Sequence, residues 1–178
     1  MNYLIVESLR RLIQMIFGME IFSFPGLMYI RKCMYRLCFH IGSKPTIDYG
    51  VKLSRSHRIK DRKITIGKNV LFSKHTEIDY SGSVNIGDYV WISEGMKIFT
   101  HNHSLTNTRC TKIKENVTTN ELIIENNVWI GANSVILPTV NFIGENSVIG
   151  AGWIVTKNVD KNIVIAGNPA KFIKKVDI

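Results

Sequence analysis

Two histidines, His101 and His103, lie in the stretch IFTHNHS, where a regular pattern of apolar residues stops for about twenty residues. A neutral imidazole, with an ordinary pKa of about 6.5, can accept a proton from a hydroxyl group and return it later. Two histidines could also be metal ligands, or ordinary polar residues of a loop. The residue types alone leave these three interpretations open.

The pattern that stops at these histidines has a period of six. From about residue 47 an aliphatic or aromatic residue recurs at every sixth position, with two extra residues before Ile86 and one before Ile143, and a small or polar residue often follows it. The regular members of the series are Ile66, Phe72, Ile78, Ile86, Ile92, Ile98, Ile124, Ile130, Ile136, Ile143, Ile149 and Val155. Short strands joined by tight turns can repeat in this way, three strands to a coil, whereas a helix or an isolated hairpin cannot. The sequence therefore predicts an all-β stack of roughly four to five coils with these residues inside.

The first part of the chain has a different pattern. Residues 3–41 have the apolar residues of two helices, interrupted at residues 24–26 (FPG). We therefore expect an N-terminal helical segment over residues 1–46 and a β-coil domain over residues 47–178. Lys and Arg exceed Asp and Glu by 12 to 4 in residues 1–63, but only by 11 to 10 in the rest of the chain. This distribution disfavours a nucleic-acid-binding protein, whose folded body would be basic.

Two interpretations of the helical segment stay open. The helices could pack on a core or on another subunit, or residues 1–45 could lie on an anionic membrane surface with Arg and Lys near the lipid phosphates. The longest charge-free stretches, about ten residues, are too short to span a bilayer. An odd number of cysteines and the lack of a signal-peptide cleavage site favour the cytoplasm, and under the second interpretation a peripheral position at the inner face of the membrane.

The most specific motifs lie in the C-terminal third: NVWIGANSVILP (residues 127–138), VIGAG (148–152), VTK (155–157) and AGNPAK (166–171). Together with the six-residue repeats they resemble the hexapeptide-repeat acyltransferases, in the branch of the maltose and galactoside O-acetyltransferases and their polysaccharide-modifying relatives. The resemblance implies a left-handed parallel β-helix, an extruded loop near residues 100–122 and a homotrimer. It also implies acetyl-CoA as donor and active sites between neighbouring subunits.

The resemblance assigns roles to individual residues. His103 aligns with the catalytic histidine of the family and is predicted to be the general base, while His75 and His101 are predicted to contact the acceptor. The residues predicted to contact acetyl-CoA are Trp129, Gly131, Ala132, Ala151, Thr156, Lys157, Lys171 and Lys174. Some of these residues have a plainer interpretation. Trp129 could be a surface aromatic in a trimer interface, and the lysines could be ordinary surface charges. Glu77, Asp79 and Glu94 could each orient an imidazole, and the sequence does not choose among them.

The helical start resembles that of capsule, exopolysaccharide or lipopolysaccharide acetyltransferases, so the expected acceptor is a sugar hydroxyl in a surface-polysaccharide or glycolipid precursor. An N-acetyltransferase acting on an aminosugar nucleotide or an antibiotic is the main alternative. A zinc hydrase of the γ-carbonic-anhydrase type is disfavoured, because it needs an H-x4-H pair plus a third histidine and this chain has H-x-H. No metal is expected to be required. A non-catalytic scaffold would not need His103, Trp129 and the basic C-terminal residues together.

Overall fold

A computed structural model describes residues 3–55, 61–103 and 117–177. Helices α1 (Tyr3–Phe17) and α2 (Leu27–Cys38) flank a short 3-10 helix (Glu20–Ser23). Short strands follow. They are β1 (His40–Ile41), β2 (Thr46–Ile47), β3 (Lys52–Ser54), β4 (Ile64–Ile66), β5 (Leu71–Phe72), β6 (Glu77–Asp79), β7 (Val84–Ile86), β8 (Trp91–Ile92), β9 (Lys97–Ile98), β10 (His101–His103), β11 (Val117–Thr119), β12 (Leu122–Ile124), β13 (Trp129–Ile130), β14 (Val135–Ile136), β15 (Phe142–Ile143), β16 (Val148–Ile149), β17 (Ile154–Val155), β18 (Ile163–Gly167) and β19 (Ala170–Lys175).

Three sheets form the sides of a triangular coil. The first sheet contains β1, β4, β7, β12 and β15, and the third contains β3, β6, β9, β14 and β17. The second contains β2, β5, β8, β13, β16 and β18, with β19 added antiparallel at its end. Neighbouring strands from successive coils are parallel and in register, as for Ile66, Ile86 and Ile124. The described strands therefore form five coils, and we call the edges between sheets the 1–2, 2–3 and 3–1 corners.

The predicted inward residues form the core. All twelve regular members of the series, from Ile66 to Val155, are at most 4% exposed. A small residue often follows them because successive coils lie close together at the turns and leave little room for a side chain. A Cβ added to Gly131 would lie 2.6 Å from the backbone nitrogen of Ala151 in the next coil. The prediction of an all-β stack with this core is confirmed.

Helix α2 covers the open N-terminal end of the coil. Arg31 is 1% exposed, and its guanidinium donates hydrogen bonds to the carbonyls of Phe17 (2.8 Å), Met19 (2.9 Å) and Ile47 (3.3 Å). These bonds tie the end of α1 and the start of the 3-10 helix to the first coil. The first strand of the coil, β1, begins directly after the helical segment and before residue 46, where the sequence suggested the boundary.

Helix α1 directs its polar side towards the coil. Glu7 accepts a hydrogen bond from Arg55 (2.8 Å), and Gln14 exchanges two hydrogen bonds with the backbone of Leu53 (3.0 and 2.6 Å). Most of its large apolar side chains are exposed instead, and so are many between residues 19 and 37. These exposed residues are Ile5, Leu9, Leu12, Met15, Ile16, Met19, Ile21, Phe24, Leu27, Met28, Tyr29, Ile30 and Leu37. In the described part of the chain, neither helix is long and apolar enough to cross a bilayer.

The chain leaves the coil after Thr100 and returns at Asn120, whose backbone N–H donates to the Thr100 carbonyl (2.9 Å). Between them, β10 and β11 pair antiparallel, outside the three sheets. The predicted extruded loop near residues 100–122 is therefore present at both of its ends. Residues 104–116 of that loop, with Cys110, lie outside the described residues. So does Ile59, which together with Ile47 and Leu53 would extend the six-residue series towards the N-terminus.

Candidate active site

The two histidines of IFTHNHS lie side by side on β10. Alternate residues of a strand point to the same side, so His101 and His103 share one face of the hairpin. Their rings meet edge to face, with centroids 5.4 Å apart and planes at 90°. Pairing of His101 with Thr119 and of His103 with Val117 fixes the backbone that holds them. Both are partly buried, so the hairpin presents two imidazoles that a ligand can reach.

Asp79 is the carboxylate that meets this pair. It is the last residue of β6, it is 6% exposed, and its Oδ2 lies 2.8 Å from Nδ1 of His101. It also accepts hydrogen bonds from Ser81 Oγ (2.6 Å) and from the backbone N–H of Thr100 (3.1 Å). Burial on its own would raise the pKa of Asp79, but the hydrogen bonds from His101, Ser81 and Thr100 outweigh it and lower that pKa. Asp79 is therefore ionised at neutral pH.

An ionised carboxylate is an acceptor only, so Nδ1 of His101 must be the donor in this bond. In the neutral ring Nε2 then carries the lone pair. Of the three acids that the sequence left as candidates, the structure pairs Asp79 with a histidine, and that histidine is His101. An acidic residue directly after the inward Ile78 was the available signal, but Glu125 follows the inward Ile124 in the same way, so the signal did not single out Asp79. Ser81 and Thr100 were missed, because nothing in their spacing marked them.

His75 lies elsewhere on the coil. It is exposed at the 2–3 corner after β5, in the left-handed backbone region with φ 55°, and its ring meets that of Tyr49 at 5.1 Å. Asp79 ends the strand that His75 precedes, so the two residues are about 13 Å apart along the chain direction. One chain therefore does not bring His75 and His101, the two residues predicted to contact the acceptor, to the same place.

Gly131, Ala132 and Ala151 lie at the same 2–3 corner as His75. The N–H of Gly131 is used inside the coil, where it donates to the Ile149 carbonyl (2.8 Å). The carbonyl of Ala132 accepts from Gly152 (2.7 Å), but the N–H of Ala132 has no partner among the described residues. Of the two amides predicted near the thioester, only that of Ala132 can still bind a ligand oxygen.

Trp129 lies on the outer face of the second sheet. It is in register with Trp91 of the preceding coil, and these side chains are 51% and 58% exposed. The indole N–H of Trp129 donates to Ser93 Oγ (3.1 Å), which fixes one edge of the ring. The two tryptophans form an exposed apolar surface beside the 2–3 corner, which suits either of the two uses predicted for Trp129.

The remaining residues predicted to contact acetyl-CoA lie at two further places. Thr156 and Lys157 follow β17 at the 3–1 corner, the corner from which the histidine hairpin leaves in an earlier coil. Lys171 and Lys174 are exposed on β19, at the C-terminal end of the second sheet. The predicted site residues therefore divide between the 3–1 corner, the 2–3 corner and the terminal hairpin. Within the described residues, no three His, Cys, Asp or Glu side chains form a group that could hold a metal ion.

Comparison with known proteins gives the same repeat and the same coil. Residues 121–157 match the family described as hexapeptide repeat of succinyl-transferase. The galactoside O-acetyltransferase of Escherichia coli is 37% identical over 116 residues, which cover 64% of this chain and 55% of that enzyme. The chain thus spans about half the length of the curated relatives it matches.

Solved structures extend the likeness to nearly the whole chain. A galactoside acetyltransferase in complex with coenzyme A superposes with a TM-score of 0.80 and 28% identity, over 97% of this chain and 81% of that one. AntD, an N-acyltransferase from Bacillus cereus in complex with dTDP and 3-hydroxybutyryl-CoA, superposes with a TM-score of 0.66 and 26% identity, over 77% of this chain and 72% of that one. The coil is the left-handed β-helix of these proteins.

Proposed function

We propose that this chain, which matches a hexapeptide-repeat family over residues 121–157 and shares the fold of a solved galactoside acetyltransferase, transfers an acetyl group from acetyl-CoA to a hydroxyl group of a sugar. The observation that carries this proposal is the pair of imidazoles on the extruded hairpin, backed by the buried carboxylate of Asp79. Hydroxyl acetylation needs a group that is a base at neutral pH and then an acid, and histidine is both. The named function of the galactoside relatives agrees with this chemistry.

In the proposed reaction His103 takes the proton of the sugar hydroxyl while the hydroxyl oxygen attacks the thioester carbonyl. The carbon–sulfur bond then breaks, the acetyl ester forms, and the imidazolium of His103 returns the proton to the CoA thiolate. The negative charge on the carbonyl oxygen needs a fixed donor. The N–H of Ala132 is the best candidate, because it is unused in the coil while that of Gly131 is already bonded.

We propose that acetyl-CoA lies along the 2–3 corner. Trp129 and Ala151 would contact the pantetheine arm, and Lys171 and Lys174 would bind the phosphates as point charges. Thr156 and Lys157 lie at the other corner, so they would reach the same donor from a neighbouring copy. Besides the acceptor sugar, acetyl-CoA is the one small molecule that the proposed chemistry requires.

The division of these residues between two corners supports a site shared by two copies of the chain. The 2–3 and 3–1 corners are opposite edges of the third sheet, so one chain cannot close both around one substrate. In a ring of three copies, the 3–1 corner of each can face the 2–3 corner of the next. We therefore propose a homotrimer in which His101 and His103 of one copy meet Ala132 and His75 of its neighbour.

The proposed acceptor is a sugar of a surface-polysaccharide or glycolipid precursor. An amine acceptor, as on an aminosugar nucleotide, is the second candidate, because the fold is shared with the N-acyltransferase AntD. Radiolabelled acetyl-CoA offered with free sugars, nucleotide sugars, aminosugar nucleotides and lipid-linked oligosaccharides separates the two. We expect a hydroxylamine-labile acetyl ester on a sugar; an amide, stable to hydroxylamine, would favour the second candidate, and no transfer to any acceptor would contradict both.

We also propose that the N-terminal segment rests on an anionic membrane, at the cytoplasmic face. The support is the direction of α1, whose polar side chains bind the coil while Leu9, Leu12 and Ile16 are exposed. Full burial of such side chains contributes about 1.5–3 kcal/mol each. A basic residue near an anionic surface adds only about 1 kcal/mol, so the apolar side should dominate. The exposed Arg36 of α2 supplies part of the charge.

Flotation with vesicles tests this location. We expect the intact protein to float with phosphatidylcholine–phosphatidylglycerol vesicles, and the Leu9→Gln, Met15→Gln double variant to stay at the bottom. The matched control is Phe172→Gln with Ile173→Gln, two side chains of similar exposure at the other end of the coil, which should not change flotation. If the intact protein fails to float, and the double variant instead changes the molar mass in light scattering, another subunit covers this surface.

A further inference from the structure

The buried Asp79 is paired with His101 and not with the predicted base, whereas the sequence left open which acid orients an imidazole. We propose that Asp79 and His101 act as a positioning pair, in which the carboxylate holds the His101 ring in one tautomer and orientation and that ring in turn orients His103. This inference rests on the proposed function, because it assigns His101 a task in the same reaction. His101 is then a support for the base in addition to a neighbour of the acceptor.

The first step is the fixing of His101. Its Nδ1 lies 2.8 Å from an oxygen of Asp79, and the carboxylate itself is held by Ser81 and by Thr100. The hydroxyl of Thr100 donates a hydrogen bond to the Asp79 carboxylate (3.0 Å) and accepts one from the backbone N–H of Gly82 (2.8 Å). Thr100 therefore links the carboxylate to the backbone of the corner. A carboxylate with these donors has little freedom to rotate. The direction of the His101 ring is therefore set by the coil, and not by the loop.

The second step is the contact between the rings. His103 lies on the same face of β10, two residues further, and its ring stands perpendicular to that of His101 at a centroid distance of 5.4 Å. An edge-to-face contact limits how far His103 can turn. Small errors in the direction of a base cost rate: a displacement of about 1 Å can lower turnover about 100-fold. His101, which is anchored to the coil through Asp79, therefore restricts the orientation of the His103 ring more than the hairpin backbone alone would.

The tautomer can be measured without any assay of activity. In protein labelled with ¹⁵N-histidine, long-range ¹H–¹⁵N spectra separate protonated from unprotonated ring nitrogens. We expect His101 to be protonated at Nδ1 in the neutral form, and to lose this preference in Asp79→Asn. A neutral His101 protonated at Nε2 in the native protein would overturn the fixing of the ring, whatever reaction the protein performs.

Kinetics test the role. Asp79→Asn and His101→Asn are each expected to lower kcat about 10- to 100-fold, with little change in KM for acetyl-CoA. The double variant should be no slower than the slower single one, because the two residues act as a unit. Asp88→Asn is the matched control: it makes the same change in a carboxylate at the 1–2 corner, which accepts the backbone N–H of Lys68 (2.8 Å) away from the histidines, and it should leave kcat within about threefold.

Two results would overturn the pair. If Asp79→Asn leaves kcat unchanged while the fold is retained and the His101 tautomer changes as expected, Asp79 has no task in the reaction. If His101→Asn loses as much kcat as His103→Ala, His101 is the base itself and not its support. A native protein that transfers no acetyl group refutes the proposed function, but the ¹⁵N result still decides whether Asp79 fixes His101.

Discussion

Replacing His103 by alanine is expected to lower kcat for acetyl transfer by about 1,000-fold, within the 100- to 10,000-fold range of general acid–base catalysis. Without the imidazole, the attacking sugar hydroxyl keeps its proton until late in the reaction, and the CoA thiolate leaves without one. The loss should be in kcat, because an imidazole that acts on the reacting proton contributes little to binding of acetyl-CoA. Steady-state kinetics with saturating acceptor measure both parameters.

The fold should survive this change. His103 lies on the hairpin outside the three sheets, and none of the twelve inward residues of the regular series contributes to that hairpin. Thr118, which pairs with Asn102 across the hairpin and is exposed, is the matched control, and Thr118→Ala should retain most of the activity. Near-normal turnover by His103→Ala, in protein with native circular dichroism, would remove His103 as the base.

Replacing Ala132 by tryptophan is expected to lower kcat/KM for acetyl-CoA by at least about 100-fold. The N–H of Ala132 is the proposed donor to the thioester oxygen, and a large side chain at the same corner displaces the donor by more than the roughly 1 Å that such reactions tolerate. The predicted loss combines poorer binding with poorer alignment, so both KM and kcat should change. Binding of coenzyme A by calorimetry reports the first of these directly.

The chain offers a close control for this substitution. Gly144-Glu145-Asn146-Ser147 has the same turn as Gly131-Ala132-Asn133-Ser134, with φ of 58° and 55° at the two asparagines, but lies at the 1–2 corner. Glu145→Trp therefore adds the same bulk to the same turn, away from the proposed donor. Equal losses in Glu145→Trp and Ala132→Trp would mean that the effect is a general disturbance of the coil.

The core could be predicted because its signal is repeated and local. Each inward residue meets the equivalent residue of the next coil, so burial imposes the period of six directly on the sequence. The start of the coil was harder to see. Ile41 is six residues before Ile47 and continues the series, but it follows the apolar run of α2 so closely that it looked like the end of a helix.

The surroundings of the histidines could not be derived in this way. Asp79 meets His101 because one coil brings positions about twenty residues apart into contact, and the sequence allowed Glu77, Asp79 or Glu94. The direction of α1 was equally hidden, since an amphipathic pattern shows two sides but not which one faces the protein. The hydrogen bonds of Glu7 and Gln14 with coil residues decide it.

The proposed site between two copies is tested most directly by co-expressing His103→Ala and Ala132→Trp chains with different tags and isolating the mixed oligomer. Each variant alone should be nearly inactive. If each site takes His103 from one copy and Ala132 from the next, every mixed ring of three copies contains one site with both native residues, so about one third of the sites are restored. Acetyl-CoA-dependent transfer near that level is the predicted result. A mixed oligomer as inactive as its two parents would contradict a site shared between copies.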